Sequence, residues 1–231
     1  MSNKKQKTSL HNLKQIFKKQ FRKYWRYSSK WFPFAILIGV ISGVLMALFT
    51  SLITELQILS AYIPIFIRYP LIGLVNSLFI YWGFKEVKGA GISFILMHKN
   101  TGKDIPSRSL FSKFVSSGIT LGFNAPAGRE GPAVTLGSTV AALAGKKLKM
   151  TTEDIAHTLT IGAAACTSAV FRTPLGGTVF AAEVPYKNDL DETVFLPALV
   201  ASALSLIISN LILDLLSTHP IYLNVESEQY Q

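Results

Sequence analysis

A carboxylate at the start of a helix competes with dissolved anions for one positive pocket, and residues 128–132 have the composition for that arrangement. They read Gly128-Arg129-Glu130-Gly131-Pro132, between two short apolar stretches. Pro132 suits the first turn of a helix, where its missing N–H costs nothing. Gly128 and Gly131 let the backbone turn tightly and approach a ligand. The open amides and the dipole at such a start attract an anion, and the Glu130 carboxylate can occupy the same place. A mobile anion and a tethered one then exclude each other. The plainer reading is an acidic residue stabilised by the dipole of its own helix.

A second candidate lies upstream, at Gly89-Ala90-Gly91-Ile92-Ser93. Amides near Gly91 and Ile92 would offer donors if a helix begins there; the alternative is a simple glycine turn. The four His and the lone Cys166 have no metal-ligand spacing, and no nucleophile stands beside a base. The sequence therefore gives no reason to expect an enzyme, a metal or a cofactor.

The elements that would position these loops are apolar. Of 231 residues, 49% are hydrophobic and 16% charged, with a mean hydropathy of +0.36; soluble domains usually carry about 25% charged residues. Phe32–Ile53 is a run of 22 residues without a charge, and Thr193–Leu213 one of 21. Each is long enough for a bilayer core, which takes about 20 residues. Gly39 and Gly43 lie four apart, so a second helix is expected to pack closely there. Ile63–Phe84, interrupted only by Arg68, is expected to cross back. Between them the runs shorten: Phe114–Gly128 and Gly131–Gly145 have 15 residues each, Ile155–Phe171 has 17 and Thr173–Ala182 has ten. Short helices joined by Gly/Pro turns survive at membrane depth only where protein or a watery cavity covers them, as in transporters. Turns are expected near residues 60–62, 85–93, 98–108, 126–129, 146–151, 185–191 and 217–222.

The formal charge of +10 is concentrated at one end. Residues 1–30 hold ten Lys or Arg and no Asp or Glu, while thirteen basic and thirteen acidic residues cancel in the remainder. Leu10, Leu13, Ile16, Phe17, Phe21, Tyr24 and Trp25 recur at three- to four-residue spacing among those charges. That pattern predicts an amphipathic helix at the membrane surface, touching anionic lipid headgroups, with a cytoplasmic amino terminus. A disordered basic tail and a nucleic-acid-binding tail are the alternatives, and no nucleic-acid partner is expected. The stretch Lys85–Lys113 carries six further basic residues and is placed on the same side.

Gly128–Pro132 followed by Ala133-Val134-Thr135-Leu136-Gly137 resembles the helix-start motif of the CLC family of chloride channels and proton/chloride antiporters. Two more stretches agree in order and spacing. Gly162-Ala163-Ala164-Ala165, Phe171-Arg172-Thr173-Pro174-Leu175-Gly176-Gly177 and Phe180-Ala181-Ala182-Glu183 are together similar to the family's G-A-A-A-G…F-N-A-P-L-A-G…F-x-x-E-E. Gly89–Ser93 stands where the family has G-S-G-I-P. The resemblance covers roughly residues 32–225 and only the amino-terminal half of the family's fold.

What the resemblance implies is an all-α, polytopic membrane protein with short broken helices, the first of two inverted repeats. Together with the charge pattern it divides the chain into a basic segment at 1–30, a transmembrane domain at 31–225 and a tail at 226–231. It further implies chloride as the transported ion, Glu130 as a gate, and an anion site lined by Gly89, Ala90, Gly91, Ile92, Gly128, Arg129, Glu130 and Gly131. Ala90 replaces the family's anion-coordinating serine and Ser93 its proline. His219, beside Pro220, falls loosely where antiporters keep an internal proton-transferring glutamate. Nothing after Thr193 resembles the second half's G-x-F-x-P loop, and Tyr222 and Tyr230 lie outside any such motif. A complementary half or a homo-oligomer, the latter with a contact along Phe195–Leu216, is therefore an expected partner, and the cell membrane is the expected location. The competing expectation is a non-conducting membrane subunit or a truncated remnant.

Overall fold

The computed structural model describes residues 2–84, 87, 91–102, 105–183 and 192–216. These form eight helices and no strand: α1 (Ser2–Ala61), α2 (Ile65–Tyr81), α3 (Gly91–Thr101), α4 (Arg108–Gly122), α5 (Glu130–Lys147), α6 (Thr152–Phe171), α7 (Pro174–Glu183) and α8 (Glu192–Leu215). The expected tail at 226–231 lies outside the described residues.

Two segments are long and apolar enough to cross a bilayer, Trp31–Ala61 of α1 and Thr193–Leu215 of α8. They contain the two uncharged runs. Helix α2 is shorter, 17 residues or about 25 Å at 1.5 Å per residue, just under a typical hydrocarbon core. Helix α1 also runs unbroken through the 30/31 boundary marked by the charge pattern, with Pro33 inside it. Helix α3 takes in both edges of the turns expected at 85–93 and 98–108.

Small residues set the helix contacts. A Cβ at Gly39 would fall 2.8 Å from the Ala201 carbonyl oxygen, and one at Gly43 would fall 2.8 Å from that of Ser205. The expected close partner of Gly39 and Gly43 is thus α8, and the advancing register makes α1 and α8 parallel. Helices α5 and α6 are antiparallel: Gly137 meets Gly162, and Gly145 meets Thr158. Trp31, Phe34, Ala35 and Ile38 join Leu159, Val194 and Ala198 in one core cluster, while Met46, Phe49 and Ile53 join Ala133, Leu136 and Ala169 in another. The opposite side of α1 exposes Ile36, Leu37, Val40, Ile41, Val44 and Leu48. Apolar surface on that scale belongs against lipid or another protein.

Five helices stop in a left-handed residue that returns an amide to the last turn. After α4, Asn124 (φ 58) donates to the Leu121 carbonyl at 3.1 Å and Ala125 to that of Thr120 at 3.1 Å. Gly83, Gly102, Lys149 and Arg172 are the left-handed residues after α2, α3, α5 and α6. Gly and Asn accept this conformation readily, whereas a side chain such as Lys149 or Arg172 pays about 1–2 kcal/mol.

Polar side chains fix α2. Arg68, the charge interrupting its apolar run, donates through Nε to the Ile63 carbonyl and through a terminal nitrogen to that of Ala61 at 3.3 Å. It therefore ties the α1–α2 turn. Farther along, Asn76 donates to Thr120 Oγ1 at 3.0 Å and accepts from Ser116 Oγ. Asn76→Leu strips both hydroxyls of α4 of this partner and is expected to cost about 1–3 kcal/mol. The check is the thermal unfolding midpoint in detergent, which an unimportant clamp would leave unchanged.

Candidate anion site

Helix α5 begins at Glu130, with Arg129 at the N-cap and no side-chain cap. The first intrahelical bond runs from the Ala133 amide to the Arg129 carbonyl at 3.1 Å. Pro132 has no N–H, so Glu130 and Gly131 carry the amides that the first turn leaves without an intrahelical partner. From Pro132 to Ala142 every residue is buried, which embeds the helix while its start reaches the surface. Glu130 is exposed, and its carboxylate lies back over Gly128, where any Cβ would collide with it. That carboxylate is the far end of a flexible, exposed side chain, so a larger residue at Gly128 would displace it rather than the backbone.

The start of α3 comes to the same place. Gly91 is buried, and a Cβ there would collide with the Gly131 carbonyl oxygen and fall 2.8 Å from Thr135 Oγ1. Thr135 Oγ1 donates to that same carbonyl at 2.9 Å, a bond within the first turns of α5. Two helix starts, from segments forty residues apart in the chain, therefore meet at a glycine–glycine contact. Among the residues singled out from sequence, Gly91 and Gly131 are in direct apposition, and so are Gly128 and Glu130. Ile92 and Arg129 are half-buried beside them in the chain. Gly89, Ala90 and His219 lie outside the described residues.

The level of this site follows from packing. Ala133 and Leu136 share a cluster with Ile53 and Ala169, so Glu130 and Arg172 lie toward the end of the bundle to which α1 runs. Lys146, Lys147 and Lys149 close α5 at the other end, where Met150 and Leu159 pack with Trp31.

Lys113 counts among the basic residues of the stretch Lys85–Lys113, yet it is buried on α4, 6% exposed. Its Nζ donates to the Val87 carbonyl at 3.3 Å, four residues before α3 begins. Arg108, at the start of α4, lies over the Phe84 ring at 6.0 Å. Helix α4 thereby holds the connector that delivers Gly91 to α5. The sequence signal was a single Lys among Ser109, Ser112, Ser116 and Ser117, all buried. A charged hydrogen bond of this kind is worth about 1.5–3 kcal/mol. Lys113→Met is therefore expected to quicken amide hydrogen exchange at residues 91–94 about tenfold or more, and Lys113→Arg to restore it. Unchanged exchange in the Met variant would contradict that role.

The voltage-gated chloride channel family model matches residues 72–230. Chloride channel protein CLC-d of Arabidopsis thaliana is 34% identical in an alignment of 186 positions that covers 67% of this chain and 23% of that protein. A chloride/fluoride channel protein of Pseudomonas syringae pv. tomato is 27% identical over 177 residues, 76% of this chain and 39% of that one. The crystal structure of a CLC-type fluoride/proton antiporter superposes with a TM-score of 0.71 at 28% identity, covering 80% of this chain and 47% of that one. The chain thus spans less than half the length of these relatives. With its helical fold, its paired helix starts and a family match over most of its length, this chain belongs to the voltage-gated chloride channel (CLC) family of integral membrane proteins.

Proposed function

We propose that this chain forms one half of a halide pathway, with chloride as the principal ion and Glu130 as its gate. The observation that carries this reading is the meeting of the α3 and α5 starts at Gly91 and Gly131, beside the Glu130 carboxylate. Such starts attract anions through open amides and aligned dipoles. The end of the bundle bearing the basic segment and Lys146, Lys147 and Lys149 faces the cytoplasm under the positive-inside rule. Glu130 then lies toward the opposite side. A complementary half, on a separate chain or in a longer polypeptide, supplies the remaining wall, and the outward stripe Ile207, Leu211 and Leu215 of α8 offers a contact for it or for a second copy.

Fluoride is a second reading, favoured because a relative and a solved structure are named for fluoride transport. Ala90 in place of the family's coordinating serine makes the non-conducting subunit the remaining alternative. The test is efflux from vesicles loaded with chloride or fluoride and containing the purified chain, followed with ion-selective electrodes. Chloride efflux faster than fluoride supports the principal reading; the reverse order supports the second. Silence from folded, inserted protein rejects a pathway built from this chain alone.

A further inference from the structure

We infer that residues 2–30 of α1 are an anionic-lipid-binding arm, hinged on the membrane domain between Ser28 and Pro33. The helix is continuous from Ser2 to Ala61. Left straight, thirty residues at 1.5 Å each would carry it about 45 Å beyond the bundle, with its apolar side in water.

Trp31 anchors the helix in the bundle. That side chain is 1% exposed and meets the rings of Phe34 and His157 edge-on, at centroid distances of 5.9 and 5.8 Å. Just beside this anchor the helix is weak. Pro33 has no N–H to bond the Ser29 carbonyl, and Ser28-Ser29 precedes it. Proline and adjoining serines are where helices bend. The arm can therefore turn into the membrane plane without disturbing the packing of Trp31.

The partner follows from composition. In a helix, Leu10, Leu13, Phe17, Phe21 and Tyr24 share one side, and Lys19, Arg22, Lys23, Arg26 and Lys30 share the other. Residues 1–30 carry ten positive charges and no negative one. Near a negative leaflet each such charge is worth about 1 kcal/mol, and burial of the apolar side adds to it. A zwitterionic surface supplies only the second contribution, so binding of the arm depends on acidic lipid.

The experiment uses the full chain with Phe17→Cys carrying a nitroxide spin label. Cys166 is fully buried, so the label reports one site. Accessibility to oxygen, relative to a water-soluble nickel complex, is compared in nanodiscs of phosphatidylcholine alone and with phosphatidylglycerol. The expected result is a rise of about threefold or more in that ratio with acidic lipid, lost at high salt. It should also be lost when Lys18, Lys19, Arg22, Lys23 and Arg26 are all changed to Gln. Equal ratios in both lipids would overturn the inference, as would a rise that survives the five Gln substitutions. Neither outcome depends on whether the chain conducts.

Discussion

Gly162→Val is expected to abolish the folded protein. A Cβ at Gly162 would collide with the Gly137 carbonyl oxygen and fall 2.6 Å from the Ala141 Cβ, and Gly137 is equally tight against Gly162. Both partners are backbone or a methyl held on backbone, so no flexible side chain can give way. The surrounding Ala163, Ala164, Ala165 and Cys166 are fully buried. Overpacking usually costs about 1–3 kcal/mol, and more where the backbone must move, against a typical total of about 5–15 kcal/mol. Loss of a monodisperse species on size exclusion, with little protein surviving detergent extraction, is the expected readout. Gly73→Ala is the matched control: a Cβ there meets nothing within 4 Å, and extraction should equal that of the parent. A well-folded Gly162→Val protein would show that α5 and α6 do not pack through these glycines.

Glu130→Gln has the largest expected effect on function. The substitution keeps shape and removes charge. A carboxylate at a helix start gains about 0.3–1 kcal/mol, up to ~2 kcal/mol where partly buried. Removing that competitor therefore frees the site for halide by about two- to fivefold, up to about thirtyfold. Halide flux should rise correspondingly at neutral pH. Its pH response should flatten, because the Gln side chain carries no ionisable group. An active preparation whose flux and pH response are both unchanged by Glu130→Gln would remove Glu130 from the gate.

Much of this arrangement was legible in the sequence because it rests on rules of length and size. Uncharged runs gave the two spanning segments of α1 and α8. The Gly39/Gly43 spacing announced a close helix contact, though not that α8 would be its parallel partner. Gly128–Pro132 gave the start of α5. What stayed hidden depends on tertiary placement. No local pattern brings Gly91 to Gly131, since that contact is made by α4 carrying the connector between them. Lys113 counted with the other charges of Lys85–Lys113 because composition cannot tell a buried Lys from a solvated one. The continuity of α1 through Pro33 was also unannounced, because the change from basic to apolar composition mimics a boundary while helical hydrogen bonding continues across it.

The most direct test of the anion site is a crystal structure of the membrane-inserted assembly grown in bromide, with anomalous scattering locating the ion. The account predicts bromide at the amides of Gly91–Ile92 and Glu130–Gly131, with higher occupancy in Glu130→Gln. Ordered helix starts with no bromide between them, even in Glu130→Gln, would contradict it.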